Sequence, residues 1–314
     1  MPAVIVHDTF ALEMIPEDEK PYIAAVRSGT QGPDLFMAYG KNPFNKREDA
    51  KEIRPWGTVM HHTPVEDVYG KMMEYANTKE AGEKELLYAY IDGLLMHFSV
   101  DRVCHPYVFY RTGFDEKGGI SGSFGWWHGY FEACLDKEFG SRKGTFIRPD
   151  KAMGNLDLDS VQKIGKMWRE CAPFPLKENS YEISYKDYND VTRMMWSPTG
   201  IKRFFVKLFM KKSSQAYSMI YPASRKEANR FDVCNDAYAT WKDPCTGEEK
   251  TASFEELFEK SKEGYRAVHE ILLKAKKGED VYTELKQWAD NLDHDGNPYG
   301  MEKRYSDPIS NYVK

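Results

Sequence analysis

The sequence predicts an all-α protein, a multi-helix bundle with a helical C-terminal extension. Three observations predict it. Apolar residues recur at helical rather than alternating spacing in most segments. Turn and helix-opening signals punctuate those segments. The 314 residues are 41% hydrophobic, with 20 Tyr, 17 Phe and 7 Trp, enough to bury a substantial core.

Taken in chain order, Phe10–Met14 begins the helical series. Val65–Ala76 places Val65, Val68, Met72, Met73 and Ala76 on one stripe, and Leu86–Val103 does the same with Leu87, Ile91, Leu94, Leu95, Phe98 and Val103. Both read as core helices. Gly113–Gly125, with five glycines, is the most flexible-looking loop, and Trp126–Phe139 follows it as a helix. Further helices are expected at Leu158–Cys171, Tyr185–Trp196, Thr199–Met210, Arg225–Thr240, Phe254–Ala275 and Val281–Asn291. Ser197-Pro198 and Asp243-Pro244 mark turns, and Ser253 with Glu256 forms the capping box that opens the Phe254 helix. No internal repeat or low-complexity stretch is present. Gly140–Asp150 is the expected boundary between two helical regions, 1–145 and 146–314, which can share one compact domain.

Lys+Arg 44 against Asp+Glu 49 give a formal charge of -5, which argues against a chain that chiefly covers nucleic-acid phosphates. Five scattered cysteines without a C-x-x-C pair argue against a disulfide scaffold or a structural zinc knot. Residues 1–8 lack a basic signal-peptide region, and no apolar run approaches the ~20 residues that span a bilayer. The expectation is a reduced, cytoplasmic protein without a transmembrane segment.

The chemistry is concentrated in the first half, which holds six of the 8 His. His97, Asp101 and His105 recur at i, i+4, i+8 and share one helix face. Taken singly, a His and an Asp four apart are ordinarily a hydrogen-bonded or surface pair. However, the backbones of His97 and His105 lie ~12 Å apart on a helix, too far to share one ion at bond lengths of ~2 Å. Two ions with Asp101 between them satisfy that spacing. Pro106 is expected to end the helix at His105 and free its imidazole. His128 and Glu132 supply another i, i+4 pair, which Asp136 continues. His7, Asp34 in Gly-Pro-Asp, and His61 followed by His62 add three weaker signals; an Asp after Gly-Pro is ordinarily a turn residue or helix N-cap. Together they form an N,O-rich set with no thiolate, suited to zinc in a catalytic setting.

In this order, His7, Gly-Pro-Asp34, Met-His61, Gly-Leu-Leu-Met-His97-x3-Asp101-x3-His105-Pro-Tyr and His128-x3-Glu132, the chain resembles the zinc-dependent phospholipase C family, kin to the single-strand-specific zinc nucleases. It is similar in particular to bacterial members that lack a secretion signal. The match spans residues 7–136; the second half is similar only loosely, in Trp241-Lys-Asp-Pro and Ser253-Phe-Glu-Glu-Leu-Phe258. The resemblance implies a helical bundle around up to three Zn2+ ions. Asp34, His61, His97 and Asp101 hold one ion, His105, His128 and Glu132 a second, and Asp101 bridges to a third that takes His7. Here the chain departs from the pattern: the family completes the third site with a processed N-terminus, whereas His7 lies behind Met1 and Pro2. Two ions are therefore expected. His62 remains an alternative to His61. The implied activity is hydrolysis of a phosphate ester, small molecule or lipid head group, by metal-activated water, with Asp34 as its base.

Other features are read more plainly. Met194–Lys212 combines Trp196, Phe204, Phe205, Phe209 and Met210 with Lys202, Arg203, Lys207, Lys211 and Lys212. Its apolar stripe is expected in the core with the lysines in water, a lipid- or phosphate-facing helix being the alternative. Asn291–Glu302 matches a calcium-loop template in part, but reads as a glycine-containing turn. His269 and His294 have no nearby carboxylate in sequence and default to structural or surface roles. A metal phosphohydrolase built on the His7-Asp8 dipeptide lacks an upstream His ligand, and a non-catalytic multi-zinc protein is the alternative function.

Overall fold

The computed structural model describes residues 4–209, 218, 220 and 230–312. It is all-α: the helices are α1 (Val4–Met14), α2 (Ile23–Gly29), α3 (Asp34–Met37), α4 (Ala50–Ile53), α5 (Pro55–His61), α6 (Val65–Asn77), α7 (Ala81–Thr112), α8 (Ser123–Lys143), α9 (Leu158–Cys171), α10 (Ser180–Met195), α11 (Ile201–Phe209), α12 (Phe254–Lys276) and α13 (Tyr282–Ala289). Among the described residues, the only sheet is a two-stranded antiparallel hairpin of β1 (Trp241–Lys242) and β2 (Glu249–Lys250).

The axis of the molecule is α7, whose 32 residues extend roughly 48 Å. Leu86–Asp101 is buried without a break, so this helix is enclosed on all sides rather than amphipathic. α2 crosses it closely because Gly29 and Gly93 meet backbone to backbone. A Cβ on Gly93 would lie 2.2 Å from the Val26 carbonyl oxygen, and one on Gly29 would lie 2.2 Å from that of Tyr90. α12 packs on another side, and α1 and α8 pack beside it and on each other. The capping box at Ser253 and Glu256 forms as the sequence predicts. One hydrophobic core runs from Val4 to Ile309, continuous across Gly140–Asp150. No helix among the described residues is long and apolar enough to cross a membrane.

Four differences from the sequence reading have physical causes. First, α7 does not end at His105 but continues through Pro106 to Thr112. Burial of Tyr107, Val108 and Phe109 outweighs the one hydrogen bond that proline removes, the bond to the Arg102 carbonyl. Second, of the expected helix Arg225–Thr240, residues 225–229 lie outside the described residues, and 231–240 is a loop of turns with positive φ at Asp232, Asn235 and Tyr238. The Asn235 amide organises that loop by donating to the carbonyls of Ala239, Thr251 and Ala252. Third, the glycine loop is tied together by Asp115, whose carboxylate accepts from the backbone N–H groups of Lys117, Gly119 and Ser121. Fourth, of the stripe expected in the core, Phe204 and Phe205 are 63% and 50% exposed, as are their neighbours Ile201 and Leu208 at 58% and 63%, while the Phe209 side chain and Met210 lie outside the described residues.

Candidate metal centre

The eight residues singled out in the sequence converge from five elements. His7 comes from α1, Asp34 opens α3, His61 closes α5, His97, Asp101 and His105 lie along α7, and His128 and Glu132 lie on α8. None is more than 7% exposed. His61 is the histidine of its pair that faces the cluster, with Nε2 3.3 Å from Asp34 Oδ1. His62 turns away and is bonded through Nδ1 to Asp293 at 2.8 Å.

Asp101 stands at the middle. Its Oδ1 is 3.1 Å from His7 Nε2 and 3.6 Å from His105 Nε2, while its Oδ2 is 2.9 Å from His97 Nε2 and 3.8 Å from His61 Nε2. Beyond it, Glu132 Oε1 lies 3.1 Å from His128 Nε2 and 3.8 Å from His105 Nε2. Three groups are thus compact enough to hold a metal ion: His7, His97 and Asp101; Asp34, His61 and His97; His105, His128 and Glu132. His97 is common to the first two.

Backbone carbonyls set the histidine tautomers. His61 Nδ1 donates to the Gly57 carbonyl at 2.7 Å, His97 Nδ1 to that of Thr30 at 3.0 Å, and His105 Nδ1 to that of His294 at 3.0 Å. Because a carbonyl only accepts, each Nδ1 carries a hydrogen, so Nε2 is the nitrogen that faces the cluster and would ligate a metal once it gives up its own proton. Local sequence explains the first partner, one turn back on α5. The Gly29–Gly93 crossing explains the second, since it brings Thr30 beside α7.

Five atoms facing the cluster are buried without an assigned hydrogen bond: both oxygens of Asp34, His97 Nε2, Asp101 Oδ2 and Glu132 Oε2. Each such atom left unsatisfied costs about 1–3 kcal/mol. Cations at the cluster would satisfy them. The electrostatics point the same way. Despite burial, the neighbouring imidazoles hold Asp101 far below the usual carboxylate range, and His128 and His105 draw Glu132 down to about 2. His105 is pushed up to about 10: burial opposes its charge, but Asp101 and Glu132 outweigh it. Asp101 and Glu132 are thus held ionised and attract positive charge.

A fourth group, His62, Asp293 and Asp295, fails the same test. Asp293 Oδ1 accepts from the N–H groups of Asp295 and Asn297, and Asp295 pairs with the buried Lys303 at 2.7 Å. These residues already have their partners. His62 and Asp295 line instead a pocket shared with Asp34, His61, His105, His128 and Glu132 and with Phe109 and Gly118–Ile120. Lys303 ties parts of that lining together: its Nζ also donates to the Gly118 carbonyl at 3.0 Å and sits 3.8 Å from the centre of the Phe109 ring.

Three further residues support the cluster or stand apart from it. Asp136, expected to continue the ligand stripe, accepts from the N–H groups of Ile5 and Val6 and so anchors the first turn of α1, the helix that carries His7. Asp8 is paired with Arg27 and faces away from the cluster, so the His7-Asp8 dipeptide does not act as a unit. His294 is completely buried among His61, His97 and Phe98, and burial holds it well below its ordinary pKa. Its backbone N–H donates to the His61 carbonyl and its own carbonyl receives His105, so one peptide segment positions two ligands. Gly296 lets that segment in: at φ +73° its Cα faces the Arg102 carbonyl that Pro106 leaves without a donor, and a Cβ there would lie 2.3 Å from that oxygen. His269, which has no carboxylate close in sequence, meets Asp92 at 3.3 Å.

The protein therefore carries several buried His/Asp/Glu groups able to hold metal ions. Comparison with protein-family models, with curated proteins and with solved structures gave no match to this chain.

Proposed function

We propose that this chain is a zinc-dependent phosphoesterase of the phospholipase C type. The observation that carries the proposal is the convergence of Nε2 atoms from His61, His97 and His105, each fixed by a backbone carbonyl, on the buried carboxylates Asp34, Asp101 and Glu132, with Asp34, His61, His105 and Glu132 lining a pocket. The motif order shared with the phospholipase C family supports it, as does the all-nitrogen-and-oxygen ligand set, which suits zinc. Asp34, His61 and His97 would hold one ion and His105, His128 and Glu132 another, with Asp101 between them. Zinc bound there supplies Lewis acidity toward a phosphate oxygen and lowers the pKa of water toward neutrality.

The chain's own residues do the rest. Asp34, with neither oxygen hydrogen-bonded, faces the pocket and takes the proton from the attacking water. Asp101 fixes the separation of the two ligand groups. Phe109 and Ile120 give the pocket an apolar rim that limits water around the reacting phosphate. The purified protein should contain at least two zinc ions, located by anomalous scattering at the zinc edge, and should hydrolyse p-nitrophenyl phosphocholine or bis-p-nitrophenyl phosphate. Stoichiometric zinc without turnover of any phosphoester, and a melting temperature that collapses on chelation, would replace this reading with a purely structural metal cluster.

A further inference from the structure

We propose that α11 docks the protein onto an anionic lipid bilayer. Ile201, Phe204, Phe205 and Leu208 follow i, i+3, i+4, i+7 spacing and therefore form one stripe along the helix. In a globular protein such a stripe is ordinarily the face turned to the core. Here it is turned outward: the four side chains are 58%, 63%, 50% and 63% exposed. Polar and cation–ring contacts from other positions of α11 tie it to the body. Lys202 N–H donates to Ser197 Oγ, Lys202 Nζ donates to the Met194 carbonyl, and Arg203 lies 5.9 Å from the ring of Tyr130 on α8.

Charge selects the occupant. Residues 200–212 contain five cations, Lys202, Arg203, Lys207, Lys211 and Lys212, and no anion, within a chain of net charge -5. A short helix with aromatic and aliphatic residues on one face and cations beside them is the composition that lies in the plane of a membrane interface. An acidic protein is repelled from an anionic surface unless it meets it through such a patch. Each cation brought to that surface strengthens binding by roughly fivefold at physiological salt. A second copy of the chain fits less well, because an isologous contact would set α11 against itself and oppose like charges. The inference does not depend on the metal centre, whose residues lie on other elements.

The test uses the full chain and sedimentation with vesicles of phosphatidylcholine alone or doped with phosphatidylserine. Binding to the doped vesicles, much weaker binding to the neutral ones, and release by high salt are expected. Phe204→Ser with Phe205→Ser, and separately Lys202→Glu with Arg203→Glu, should each reduce binding by at least about tenfold. The thermal midpoint of the double serine variant should be unchanged, since Phe204 and Phe205 are exposed. Failure to bind doped vesicles overturns the proposal, as does equal binding to both vesicles or binding that survives the double serine variant. Concentration-dependent dimerisation abolished by the serine variant, without vesicle binding, would assign the face to a second copy. Binding to polyglutamate but to no vesicle would assign it to an acidic protein.

Discussion

Replacing Asp101 by Asn tests the core of the metal-centre reading, because it keeps the side chain's shape and removes only its charge. In the native protein that charge lies within 2.9–3.8 Å of four imidazole Nε2 atoms, two on each carboxylate oxygen. At ~4 Å and an effective dielectric near 20, a pair of unit charges interacts by about 4 kcal/mol. Loss of the anion should therefore weaken a cation on either side by about a thousandfold. Metal content after dialysis, read by plasma mass spectrometry and followed by titration with a competing chelator, measures this directly. Two or more equivalents should fall together. A variant that keeps its full complement with unchanged affinity, or loses a single equivalent while the other binds as before, would refute the bridging role.

Replacing His128 with Ala should act on one group only, lowering zinc stoichiometry by one while the Asp34–His61–His97 group stays filled; loss of all metal would contradict two separable groups. Stripped of metal, the protein should show a pH dependence set by His105 and Glu132. His105 is held at about 10 against 6.5, so its contribution is complete below pH 6.5 and is lost as pH rises through about 10. Glu132 is held at about 2 against 4.5, so its contribution is present above pH 4.5 and is lost as pH falls through about 2. Thermal midpoints of the chelated protein should fall on both flanks, and a flat profile would contradict the assignment. Lys303→Met leaves Asp295 buried without its partner and frees the Gly118 carbonyl, which should cost about 3–5 kcal/mol in denaturant unfolding and expose the glycine loop to proteolysis. Lys303→Arg should recover part of both effects, and an unaltered midpoint and cleavage rate in the Met variant would show that the rim is held by other means.

The candidate ligands were legible because a helix converts i, i+4 spacing into a shared face, so His97, Asp101 and His105, and His128 and Glu132, announce their pairing in the sequence itself. The choice between His61 and His62 was not legible. Adjacent residues point about 100° apart on a helix, and only the packing of α5 decides which one turns inward. His294 carried no spacing signal because its main contribution is made by backbone groups. The trace it left was the Asp293–x–Asp295–Gly296–Asn297 pattern, correctly readable as a turn but silent about which helix the turn meets. Pro106 misled for a related reason: local preference ends a helix there, and tertiary burial of the next turn continues it. The stripe of α11 misled because periodicity says that a face is apolar and not what it faces.

The seat of Gly296 against the Arg102 carbonyl has a consequence for the order in which the protein comes together. All eight ligand side chains lie before residue 133, so during synthesis they emerge long before the segment that orients His61 and His105. A nascent chain of that length holds the full set of donor atoms without the carbonyl that fixes the His105 tautomer. Only when residues 294–296 lodge in the notch made by Pro106 is His105 aimed, so on the proposed reading metal capture at the His105–His128–Glu132 group belongs at the end of folding. Loss of residues 294–296 should therefore weaken metal binding there even though none of them belongs to that group.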